Sequence, residues 1–207
     1  VAEYGRLGHL DPAPIPTQLN PSLRPTAAWP TPQQDFRRIG RGPWTVIASS
    51  GLSNPYNDPA QTPTSGRHGA AHRVGLGVEV LVEADDPALL GPSEGVAANW
   101  ALQLAWHAAQ IIAQNGLPMV DWLNEYRVGS IEFHDLVMPS TTPDYLARDA
   151  SGRPVVGALL GLDAPGVPQT IALPDGPVRL LAVTVITARE LDYVRQAGAA
   201  GRQWLAG

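Results

Sequence analysis

Seven prolines, Pro12, Pro14, Pro16, Pro21, Pro25, Pro30 and Pro32, crowd into the stretch from Asp11 to Pro32. Proline lacks a backbone N–H and fixes φ, so neither a helix interior nor a central strand ladder can run through them. The sequence therefore predicts a proline-rich N-terminal arm over residues 1–42 and one ordered domain over residues 43–207. Such an arm can lie across the domain as a strap or act as an extended ligand for a partner's groove. Gly and Pro make up 42 of the 207 residues, well above an average share of about 12%. Short elements joined by many turns are expected.

Order is predicted to begin near Pro43, where Trp44, Val46 and Ile47 suit a first strand. Gly51 to Arg73 is rich in Gly, Pro, Asn, Ser and Thr and reads as a long loop. In Gly75 to Glu83, Val78, Val80 and Val82 alternate with Glu79, Leu81 and Glu83, the period of a strand. From Ser93 the apolar spacing becomes helical through Val96, Trp100, Leu104, Ala108 and Ile111, predicting one helix to about Gln114. Gly116 can end it in a left-handed conformation, Pro118 blocks its continuation, and a short helix fits Met119 to Tyr126. Ile131, Phe133, Leu136 and Val137, then Val155 to Leu162 and Val178 to Ile186, read as strands. Thr187 and Glu190 have capping-box spacing, so a C-terminal helix starts there. The expected class is α+β, with a mostly antiparallel mixed sheet of five or more strands packed on a long central helix and a C-terminal helix.

A net charge of −5, with 14 scattered arginines and no lysine, argues against nucleic acid as a partner, because such binding depends on a positive surface. No apolar run approaches the roughly 20 residues a bilayer-spanning helix needs, and the N-terminal residues carry Glu3, Arg6 and His9 instead of a secretory h-region. The absence of cysteine removes disulfides, thiolate metal sites and cysteine nucleophiles, and fits a reducing, cytoplasmic setting.

Candidate chemistry is sparse. His68 and His72 have i, i+4 spacing, but neighbouring Gly66 and Gly69 disfavour a helix and no third ligand is marked, so no metal is expected. Glu79 and Glu83 would stand about 13 Å apart along a strand, beyond the roughly 5–9.5 Å of a glycosidase pair. Glu132 and His134 share a strand face and read as a surface pair. There is no Gly-x-Ser-x-Gly elbow, and Gly75-Leu-Gly77 lacks the third glycine and the helix of a dinucleotide turn. No cofactor and no enzymatic activity are expected.

Three segments resemble the Suppressor of Fused domain of bacterial proteins. They are the Ser49-Ser-Gly-Leu-Ser-Asn-Pro55 turn, the Gly77-Val-Glu-Val-Leu-Val-Glu83 strand and the Leu181-to-Leu191 strand-to-helix junction. The resemblance spans about Trp44 to Gln196, is weakest between Asn115 and Asp149, and leaves the arm unmatched. It implies a non-enzymatic domain that binds a partner protein along an extended segment, in an immunity or regulatory role. Strand addition to an open sheet edge is the physical means, and an acidic chain suits a basic partner. The expected contact surface comprises Leu52, Asn54, Tyr56 and Asn57 of the long loop with Glu79 and Glu83 of the acidic strand face. A hydrolase using the acid and histidine pair, and a structural protein forming homodimers, are the competing readings.

Overall fold

The computed structural model describes residues 2–15, 29–32, 34–55, 74–134 and 136–207. Within them nine strands form one sheet: β1 (His9–Leu10), β2 (Asp35–Arg41), β3 (Trp44–Ser50), β4 (Val78–Ala84), β5 (Gly129–Phe133), β6 (Leu146–Arg148), β7 (Pro154–Leu162), β8 (Thr170–Leu173) and β9 (Gly176–Ile186). The main order is β1-β2-β3-β4-β9-β7-β5, with β6 pairing β7 and β8 pairing β9. Every ladder is antiparallel except β4 with β9, which lie parallel from Val78 opposite Arg179 to Leu81 opposite Ala182. The helices are α1 (Ser93–Ala97), α2 (Trp100–Tyr126), α3 (Ala188–Ala197) and α4 (Ala199–Leu205). The α+β class with a mixed, mostly antiparallel sheet is as the sequence predicts.

The sheet begins earlier than its sequence suggests. β2 lies inside the stretch assigned to the arm, so the strand at Trp44 is not the first. A two-residue turn at Gly42 and Pro43 returns β2 onto β3, and Phe36 and Ile39 are fully buried. Arg37, Arg38 and Arg41 obscured that strand, because strand-like alternation is hard to see through a basic run. Residues 9–15 are also integrated: β1 pairs at Gly40, Asp11 N donates to Arg38 O, and Ile15 N donates to Phe36 O. They cover the outer edge of β2, a common protection against edge-to-edge association.

Both sheet faces are covered. Val78, Val80 and Val82 pack with Leu102, Leu104, Ala105, Ala108 and Ile112 of α2. On the opposite face Leu81, Val46 and Leu180 meet Tyr4 and Leu7 at one end, while Val155 and Leu159 meet Leu191 and Val194 of α3 at the other. The single helix predicted from Ser93 is two, because Asn99 caps α2 by accepting the Ala101 amide at 2.8 Å. Its own amide and the Trp100 indole donate to Asp86, fixing the break. Gly116 interrupts the helical path where predicted, with φ 59° but ψ −146°, outside the left-handed helical region expected for it, and Pro118 follows. β5 stops at Phe133, so Leu136 and Val137 lie beyond it. The Thr187/Glu190 capping box is formed in both directions.

Candidate functional site

Two residues of the expected contact surface, Leu52 and Glu79, are internal. Leu52 is fully buried, and Glu79 is only 2% exposed. Alternation places Glu79 opposite the α2 face, where N-terminal residues cover it. There its carboxylate accepts the Ser49 hydroxyl at 2.5 Å, the Gly51 amide at 3.0 Å, and the Ser53 amide and hydroxyl at 2.9 and 2.6 Å. A buried carboxylate is tolerable only with such donors. Glu79 therefore folds the Ser49-to-Pro55 turn onto β4, and neither it nor Leu52 offers a side chain to a partner. Asn54 is half-buried and donates to Thr31. Tyr56, Asn57, His68 and His72 lie outside the described residues.

Glu83 has a different setting. The β4–β9 ladder ends at Leu81 and Ala182, yet β4 continues to Ala84 and β9 to Ile186. Beyond that point β4 is paired only on its β3 side and β9 only on its β7 side. The two strand ends face each other across a crevice of about 270 Å3, lined by Val82, Glu83, Thr184 and Val185 from the strands. Trp100 and Leu104 from the start of α2, Trp44 from β3, and Asp163 to Pro165 after β7 close its sides. A crevice outside the carboxyl ends of parallel strands is a recurrent binding position in open sheets. Its two carboxylates are both engaged: Glu83 accepts Arg41 Nη1 at 2.7 Å, and Asp163 accepts Gln169 Nε2. Trp44 remains 47% exposed.

The acid and histidine pair is built differently from an acid–base site. Glu132 accepts two hydrogen bonds from the Arg195 guanidinium, at 2.9 and 2.6 Å, which hold its carboxyl below the usual range. His134 lies 3.6 Å from Asp149, itself bonded by Ser151 and Arg153. These groups form an exposed ionic lattice tying β5 to α3. Among the described residues, no three His, Cys, Asp or Glu side chains gather as metal ligands, and no helix is long and apolar enough to cross a membrane.

Sequence reasoning singled out Glu83 but not Trp44, Trp100, Asp163 and Thr184, which line the same crevice. The available signal was the unbroken apolar run from Leu180 to Val183, typical of a central strand buried on both faces. The chain matches no protein-family model and no curated protein.

Proposed function

We propose that the chain is a non-enzymatic protein-binding domain that takes an extended segment of another protein into the crevice between β4 and β9. One observation carries this reading: two strand ends, each unpaired on one side, face each other across an open gap within the sheet. An entering backbone would find ladder partners on both sides, the arrangement that strand addition exploits. Trp44 and Trp100 supply apolar contact at its rim. Glu83, Asp163 and the net charge of −5 favour a basic segment. Two of the segments that resemble the Suppressor of Fused domain, Gly77–Glu83 and Leu181–Leu191, supply the crevice walls, which supports an immunity or regulatory role of sequestering a partner. A chain without cysteine suits the reducing cytoplasm for this work. The hydrolase reading is weaker, because both Glu132 carboxylate oxygens are taken up by the Arg195 guanidinium and His134 faces Asp149 instead.

The test is selection of binders from a random peptide library displayed against the full chain, followed by amide hydrogen exchange of the complexes. Binding peptides should protect amides in 82–84 and 183–186, and Thr184→Arg, which fills the crevice from an exposed position, should lower affinity at least tenfold. Peptides that bind Thr184→Arg equally well, or protect only other segments, would overturn the reading. So would a library that yields no binders.

A further inference from the structure

Three departures from ordinary conformation meet at a second cleft, of about 310 Å3, between the end of α2, the end of β7 and β9. Arg127 has φ 63°, alone among the described non-glycine residues in having a positive value. Gly161, with φ +86°, sits where the β7–β9 register shifts between Leu160 and Leu162. A Cβ there would stand 2.4 Å from the Arg127 carbonyl oxygen and 3.0 Å from Arg179 Nη2, so only glycine fits. Arg179 is drawn inward, and burial, then the neighbouring Arg127 charge, lower its pKa. Backbone strain and bulges concentrate where a ligand is held, because the fold must repay their cost.

Part of this has a plain structural account. Arg179 Nη1 donates to Leu123 O at 2.8 Å and Asn124 Oδ1 at 3.1 Å, and Nη2 donates to Arg127 O at 2.9 Å. These bonds cap the end of α2, where a cation is favoured. Capping also accounts for the Arg127 backbone, which is the C-cap residue of α2 and is spanned by the Val128 amide donating to Tyr126 O at 2.7 Å; the Arg127 side chain takes no part in it. Arg127 is exposed and lines the same cleft, and its side chain has no hydrogen-bond or ion-pair partner among the described residues. It also stands close enough to Arg179 for the two charges to oppose each other. Of the five N–H donors on a guanidinium, Arg179 keeps Nε and one Nη2 hydrogen unused. Asn124 accepts through Oδ1, leaving its NH2 group to donate. Against an anion stands one wall carboxylate, Asp163, which is bonded by Gln169.

We propose that this cleft binds a single oxyanion of phosphate size, bridging Arg127 and Arg179, as free phosphate or as a phosphate monoester. Guanidinium forks match the paired oxygens of such a group, and an anion between them removes their mutual repulsion. Asp163 disfavours additional negative charge, which restricts the site to one anionic group. The cleft shares only Leu162 and Asp163 with the crevice between β4 and β9, so this assignment does not depend on the peptide-binding reading.

Thermal unfolding of the full chain tests it, with about 10 mM inorganic phosphate or phosphoserine set against sodium chloride of equal ionic strength. Phosphate should raise Tm by about 3 °C above the chloride control. Arg127→Gly, which suits the positive φ and so preserves the fold, should abolish that rise. A matching rise with phosphoserine identifies the monoester as a ligand, and a rise with inorganic phosphate alone identifies the free ion; both support the site. No rise over chloride, or a rise that Arg127→Gly retains, would overturn it.

Discussion

Ser53 meets the Glu79 carboxylate twice, through its amide at 2.9 Å and its hydroxyl at 2.6 Å, both on Oε1. Ser49 takes the other oxygen through its hydroxyl, which in turn accepts the Val80 amide at 2.9 Å. One side chain thus satisfies the donors of a buried turn thirty residues away in the chain. Glu79→Ala should cost about 3 kcal/mol, since it strands several buried donors at once. Glu79→Gln, which keeps the size but replaces an acceptor with a donor, should cost about 2 kcal/mol. Urea denaturation midpoints measure both, and a loss below about 0.5 kcal/mol in either would show that the carboxylate does not pin the turn.

Gly42 and Gly161 both have positive φ, but only one is crowded. A Cβ at Gly42 would meet nothing within 4 Å, whereas at Gly161 it would enter the Arg127 carbonyl oxygen. Gly42→Ala should therefore cost about 1 kcal/mol from backbone strain alone. Gly161→Ala adds a clash against backbone and should cost about 3 kcal/mol. Equal losses in urea titrations would mean that the bulge moves freely enough to admit a methyl group.

Much of the architecture was readable wherever one residue dictates one geometry. Gly116 with Pro118, the alternation of Val78, Val80 and Val82, and the Thr187/Glu190 box each act within a few positions, and each recurs in the fold. What escaped depends on contacts far apart in sequence. Nothing local to Glu79 announces that Ser49 and Ser53 will bury it, and so an acidic strand face looked like surface. Phe36 and Ile39 were hidden by the arginines around them. The crevice arises because β4 and β9, almost a hundred residues apart, run parallel and then part. A strand's local pattern carries no record of its partner's direction.

Asp11 is held by Arg38 and Glu132 by Arg195, and these bonds keep both carboxyls below their ordinary pKa values. As pH falls, the unfolded chain takes up these protons before the folded one does. Their stabilisation is complete above the ordinary carboxylate range of about 3.9–4.3 and is lost as pH drops through the lower folded-state values. Urea midpoints should stay level from neutral pH to about pH 5 and decline below about pH 4. Glu132→Gln should make that acid decline shallower. An unchanged decline would remove the Arg195 pair from the acid response.

The N-terminal residues offer the sharpest contrast between a strap that rests on a finished domain and one that completes its core. Leu7 is 5% exposed and Tyr4 is 4% exposed, and both pack with Leu81, Val46 and Val178. The Tyr4 hydroxyl donates to Ser49 O at 2.5 Å, joining this strap to the turn that Glu79 holds. Burial pushes its phenol pKa well up, with the Glu79 charge adding to the effect. Leu7→Ala should cost about 2–3 kcal/mol through lost burial and the cavity left behind. Tyr4→Phe removes only the hydroxyl and should cost about 1 kcal/mol. If both variants unfold at the parent's urea midpoint, the strap merely rests on the sheet; losses of the expected size would make residues 2–15 part of the folding unit.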